Sequence, residues 1–217
     1  MAIASRTPGG RAAGTCRGML LPATCPICGR RGAAPCDWCA AALRRAPALP
    51  APPRVDVLLA LLAYEGGGRE LVARLKYRNA RAALPWLAAR QAAQVRRARV
   101  PVDAVTWIPT TAQRRRARGF DQAELLARAV AKQLRRPCLR LLDREPGPAQ
   151  TGRSAAARRA GPRLRIVRRA PVPGHVLVVD DVVTTGASAA IAAHTLRGGG
   201  ARFVTVSTVA RTPLKRR

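Results

Sequence analysis

The sequence is poor in three things. Aromatic residues make up only 3% of its 217 residues, acidic side chains number 11 against 40 lysines and arginines, and no apolar run is longer than that from Val57 to Tyr64. So few aromatics count against a groove that holds single strands by stacking their bases. An apolar run this short excludes a membrane-spanning helix, and the stretch from Gly18 to Pro22 is too short for the apolar core of a signal peptide. The chain is therefore expected to be cytoplasmic, without membrane insertion. In that reducing compartment its six cysteines are expected as metal ligands or free thiols rather than disulfides. The shortage of acids leaves a formal net charge of +29. Most of the arginines are scattered through an alanine-rich background, where a solvated surface accounts for them, and charge alone leaves nucleic-acid contact open.

The length fits one medium domain with a small appendage. Residues 1–17 lack periodicity and are expected to be disordered. Residues 18–45 form a cysteine module, and residues 46–54, rich in proline and alanine, read as a stiff extended linker. From residue 55 to 217 strand and helix patterns alternate. "VDVLLALLAY", "VDAVTWIP", "CLRLL", "LRIV", "VLVVDD" and "RFVTVSTV" read as strands. "RELVARLKY", "LPWLAARQAAQVRRA", "DQAELLARAVAKQL" and "SAAIAAHTLRGG" read as helices. Such alternation predicts an α/β fold with a parallel sheet, and the wholly apolar "VLVV" suits a central strand covered on both faces.

Within "HVLVVDDVVTTGAS" two of the scarce carboxylates, Asp180 and Asp181, stand side by side at the end of that strand. In open parallel sheets ligands bind beyond the carboxyl ends of the strands. The turn that follows, Val182, Val183, Thr184, Thr185, Gly186, Ala187 and Ser188, opens a helix; small hydroxyl residues and a glycine let backbone N–H groups approach an anion there. Carboxylates so close would repel a phosphate unless they held something else, such as hydroxyls or a magnesium ion. One Asp capping the turn is the plain structural alternative, but a cap needs only one carboxylate.

Near the N-terminus, "CPICGRRGAAPCDWC" spaces Cys25, Cys28, Cys36 and Cys39 as two C-x2-C pairs. Each pair can turn both thiolates to one cation, and four close a tetrahedral structural zinc site. Cys16 and Cys138 have no partner at such spacing.

The stretch "VLVVDDVVTTGAS" resembles the phosphoribosyl-pyrophosphate (PRPP) signature of type I phosphoribosyltransferases. The resemblance implies that Asp180 and Asp181 hold the ribose 2- and 3-hydroxyls and that residues 182 to 188 cradle the 5-phosphate. A four-cysteine zinc module ahead of such a domain resembles the ComF family of competence proteins. "YEGGGRELVARLKYRNARAALPWLA" and "IPTTAQRRRARGFDQAELLARAVAKQL" resemble two further segments of that family. Two features depart from it: many relatives carry another C-x2-C-G where the Pro/Ala stretch stands, and "QTGRSAAARRAG" offers Gln150, Arg158 and Arg159 but Gly161 in place of Asn. The family's properties imply magnesium with PRPP, a link to uptake of single-stranded DNA, and competence helicase machinery as a partner.

Arg114, Arg115, Arg116 and Arg118 follow the strand that ends at Pro109, on the same rim as the acid pair. Their guanidinium groups could reach a pyrophosphate, and a solvated basic loop is the alternative. Arg118 is the candidate among them for stabilising the departing pyrophosphate. By resemblance Thr110 and Thr111 sit where type I enzymes bind pyrophosphate through backbone amides. Lys76 could add charge on that pyrophosphate side, but a helix lysine that snorkels to solvent is the plainer reading, and His175 and His194 read as surface or structural residues. Two other functions fit the sequence: a PRPP or nucleotide sensor without catalysis, and a single-stranded nucleic-acid accessory factor.

Overall fold

A computed structural model describes residues 23–77, 81–145, 162–167 and 171–213. Residues 1–17, and with them Cys16, lie outside the described residues, as do Gln150, Arg158, Arg159 and Gly161. The chain adopts the expected α/β class: a parallel sheet flanked by helices, with a cysteine module at its N-terminal end.

The module carries a short helix, α1 (Asp37–Ala41). Next come β1 (Val57–Ala63), α2 (Gly66–Tyr77), α3 (Leu84–Ala98) and β2 (Ala104–Trp107). A second run comprises α4 (Ala112–Arg118), α5 (Gln122–Leu134), β3 (Leu142–Arg144) and β4 (Leu164–Ile166). The chain closes with β5 (His175–Val183), α6 (Ala187–Gly198) and β6 (Phe203–Arg211). The main sheet has the order β1-β6-β5-β2, and every neighbouring pair is parallel. Residues 137–139 run beside β2 through a parallel bridge between Val105 and Cys138. The runs "CLRLL" and "LRIV" do not extend this sheet as parallel strands; β3 and β4 pair with each other, antiparallel.

The apolar run of β5 is buried from Val176 to Val179 because the strand lies between β6 and β2. Its side chains alternate between two cores. Leu177 and Val179 join Leu71, Leu87, Leu126 and Val130 from α2, α3 and α5, while Val176 and Val178 join Ala189, Ala192 and Leu196 from α6. A buried polar tie crosses the first core: Gln91 of α3 donates to the Ser207 hydroxyl of β6 at 3.0 Å. Among the described residues no helix is long and apolar enough to cross a membrane.

The Pro/Ala stretch lies against the sheet and ends in a turn at residues 53–54, where Arg54 takes φ of +66°. The Ala46 amide donates to Leu61 O, and the Ala63 amide to Arg44 O. The Arg211 guanidinium donates to the carbonyls of Leu49 and Pro50, both at 2.8 Å.

Candidate functional site

Strand β5 outruns its neighbour β2, whose last ladder pair is Trp107 with Val179. The two carboxylates follow at once. Asp180 and Asp181 thus stand at the carboxyl edge of the sheet, where parallel strands leave room for a ligand. The Asp180 carboxylate accepts from the Asp181 amide at 2.8 Å. Burial, and next the adjacent charge of Asp181, push the Asp180 carboxyl up to about 8. Both causes disfavour a second negative charge at this point.

Asp181 has a partner that the sequence did not pair with it. The Lys76 ammonium lies 2.8 Å from Asp181 Oδ2, with both side chains about four-fifths shielded (22% and 20% exposed). Lys76 therefore does not snorkel to solvent. Helix α2 leaves the end of β1, sinks Leu71, Val72 and Leu75 into the core and brings Lys76, in its last turn, over β5. The signal in sequence was only a lysine at the end of an amphipathic helix, and nothing there told which way it pointed.

After β5 the chain turns through Thr184 and Thr185, both exposed, and buried Gly186. Gly186 takes φ of +83° and caps α6, and the Thr185 hydroxyl accepts from the Ala187 amide at 3.4 Å. A side chain at Gly186 would also meet the Pro/Ala stretch, since a Cβ there would sit 2.6 Å from Pro52 Cγ. The turn is thus shaped by a left-handed residue and covered on one side by Pro52. Its threonines are exposed beside the positive end of a 12-residue helix, an arrangement that suits an anion.

The threonines after β2 are built into helix ends. Thr111 caps α4 by accepting from the Arg114 amide at 3.2 Å, and Gly119 closes the helix in the left-handed conformation at φ of +76°. The expected arginine loop is therefore a helical turn. Arg114, Arg115 and Arg116 are exposed on it; Arg118 is half-buried, with Nη1 donating to Gln122 Oε1 at 3.3 Å. Phe120 lies 5.0 Å beneath the Arg81 guanidinium. Asp121 joins these pieces. One carboxylate oxygen accepts from the Thr110 amide at 2.8 Å and the other from Ala123 at 3.1 Å, capping α5. Burial raises its carboxyl above the usual range while those N–H groups oppose the rise, and its charge in turn adds to the upward push on Asp180. An Asp ahead of an amphipathic helix is an N-cap signal readable in sequence. The Thr110 contact, 11 residues back, is not, and it engages on Asp121 the Thr110 amide that the resemblance assigned to pyrophosphate.

At the other end of the chain, Cys25, Cys28, Cys36 and Cys39 converge with all four sulfurs within 4.8 Å of one another. The Cys28 and Cys36 sulfurs are 3.7 Å apart, close to the edge of about 3.8 Å in a tetrahedron with Zn–S bonds of about 2.3 Å. The donor set fits zinc. Burial opposes ionisation of Cys25, but amides of Cys28, Cys36 and Ile27 aim at its sulfur and draw it down to about 6. Cys39 is pushed up to about 12 by burial and by the neighbouring thiols, a crowding that a bound dication relieves. Gly29 turns the chain after the first pair with φ of +76°. Cys138 stands apart from the cluster, beside β2.

No family model matches the chain. It is 31% identical over 199 residues to the DNA utilization protein YhgH of Salmonella typhimurium, covering 87% of this chain and 84% of that one. Among solved structures it overlaps glutamine phosphoribosylpyrophosphate amidotransferase from B. subtilis with a TM-score of 0.42 and 23% identity, over 59% of this chain and 26% of that one. The chain thus spans about a quarter of that enzyme's length. It also overlaps a purine phosphoribosyltransferase from Pyrococcus horikoshii with a TM-score of 0.36 and 16% identity, over 71% and 87% of the two chains.

Proposed function

The chain belongs to the family of the DNA utilization protein YhgH, and from that premise we propose that it is a PRPP-binding, phosphoribosyltransferase-like protein of the ComF type. The observation that carries the reading is the sheet edge on which a carboxylate pair, Asp180 and Asp181, is followed within one turn by an exposed hydroxyl-glycine loop at a helix N-terminus. A sugar phosphate has matching parts, with vicinal hydroxyls for the acids and a phosphate for the loop. In this reading Val182, Val183, Thr184, Thr185, Gly186, Ala187 and Ser188 wrap the 5-phosphate. The turn at Thr110 and Thr111 and the α4 arginines line the pyrophosphate side.

Transfer, if the protein performs it, breaks the bond between ribose C1 and the pyrophosphate oxygen as a nucleophile attacks C1. Pyrophosphate leaves with the bonding electrons, and magnesium, where bound, would supply charge neutralisation to it. Such a step needs positioned cations at the leaving group more than a dedicated base, and Arg118 is the residue proposed for that role. Zinc at the four cysteines supplies structure rather than chemistry, since four thiolates leave no open position. The relative's name supports placing this activity in the handling of DNA, with single-stranded DNA and a competence helicase as proposed partners.

Calorimetric titration of the zinc-loaded protein with magnesium and PRPP, beside the Asp180→Asn, Asp181→Asn double variant, tests the reading. Binding by the intact chain that the double change abolishes is expected. Absence of binding by the intact chain refutes it.

A further inference from the structure

The ion pair between Lys76 and Asp181 occupies the carboxylate that the proposed function assigns to a ribose hydroxyl. The two groups are in direct contact at 2.8 Å and mostly shielded, so a ligand hydroxyl that approaches Asp181 Oδ2 must compete with the ammonium for it. An uncharged hydroxyl cannot compensate for loss of the ammonium, because it replaces a charge-assisted bond with a weaker one. A ligand that brings its own anion can, because it offers the ammonium a new partner.

Lysine suits such an exchange. Its charge is compact and rides on a flexible four-carbon stem with three donors, unlike the rigid fork of arginine. Lys76 lies in the last turn of α2 with only its ammonium engaged on Asp181, and its backbone is held by the buried Leu71, Val72 and Leu75. The head group can therefore swing while the helix stays in place. The destination is the group on C1. The turn at 184–188 already presents a helix N-terminus to one phosphate, whereas the second anionic group of PRPP, on C1, is next to the 2-hydroxyl, one of the two hydroxyls that the acid pair would hold.

We infer that Lys76 is a place-holding cation: in the free protein it occupies the sugar's position on Asp181, and on binding it transfers to the pyrophosphate, making the site selective for sugars that carry an anion at C1. This inference rests on the PRPP reading and adds a specificity-determining residue to it. The exchange also keeps Asp181 paired in both states, so no buried carboxylate is stranded when the ligand leaves.

The test compares PRPP with ribose 5-phosphate, which shares the hydroxyls and the 5-phosphate but lacks the pyrophosphate. Titrations with magnesium use the intact chain, Lys76→Met and Lys76→Arg, each checked for an unchanged melting transition. Lys76→Met is expected to weaken PRPP about 10- to 100-fold, the loss for one hydrogen bond to a charged group, while ribose 5-phosphate binds as before or more tightly. Lys76→Arg is expected to recover part of the preference for PRPP. Equal weakening of both ligands overturns the inference, as does unchanged PRPP affinity in Lys76→Met. If Lys76→Met fails to fold, Lys76→Arg decides: a preference for PRPP equal to or above that of the intact chain, or its complete loss, overturns the exchange. Should the intact chain bind neither ligand, the PRPP reading fails first, and this inference falls with it.

Discussion

Replacing Gly186 with alanine tests whether the turn after β5 is held in shape from outside. Two costs are readable from the geometry. Gly186 has φ of +83°, and a residue with a Cβ in the left-handed region costs about 1–2 kcal/mol. The new Cβ would also lie 2.6 Å from Pro52 Cγ and 3.0 Å from Pro52 Cβ, and overpacking of that kind adds about 1–3 kcal/mol. Gly186→Ala should therefore destabilise the zinc-loaded chain by about 2–5 kcal/mol. The two costs separate in a double-mutant cycle. In a Pro52→Gly background the steric part vanishes and only the backbone part of about 1–2 kcal/mol remains. A coupling of about 1–3 kcal/mol stands well clear of the few tenths by which independent sites fail to add. Denaturant unfolding of the four proteins, followed by circular dichroism at constant zinc, measures it. If Gly186→Ala costs the same with and without Pro52, the proline does not brace the turn and the reasoning is wrong.

Two further outcomes are expected. Asp180 titrates in the folded chain at about 8, against about 4 for an unfolded aspartate. Between those values the unfolded chain has lost a proton that the folded chain keeps, so stability falls as pH rises from about 4 to about 8 and levels off above. The melting-temperature advantage of Asp180→Asn over the natural chain should then grow from pH 5 to pH 8, and an advantage that is flat or shrinks refutes the assignment. The second concerns metal. Elemental analysis should find one zinc per chain, released by a strong chelator with loss of the module's structure, and absent from Cys28→Ser; a metal-free protein with unchanged melting would sink the zinc assignment.

The parts of the fold set by apolar periodicity were legible from residues alone. Leu126 and Val130 of the amphipathic α5 helix, and the unbroken Val176 to Val179 run of β5, are buried. The convergence of the four cysteines also followed from spacing. What escaped were contacts set by tertiary approach. Helix α4 has only seven residues, no buried side chain and no apolar period, so its arginines read as a loop, although Thr111 and Gly119 marked both ends. Lys76 gave no sign of Asp181, more than 100 positions later in the chain. The antiparallel pairing of β3 with β4 spans residues 145–163, whose pattern said nothing of how the chain returns.

The Pro/Ala stretch also bears on strand β1, which closes one side of the sheet. A terminal strand exposes a row of unpaired amides and carbonyls, an invitation to pair with another molecule. Here Arg44 and Ala46 take up Ala63 and Leu61 in an antiparallel contact around the Arg45 and Leu62 bridge. Prolines at 47, 50, 52 and 53 follow directly, and having no N–H they cannot pass the ladder on. The residues at the start of this segment thus cover the Leu61 to Ala63 end of the border strand, and the prolines that follow them cannot carry the pairing on to a further molecule.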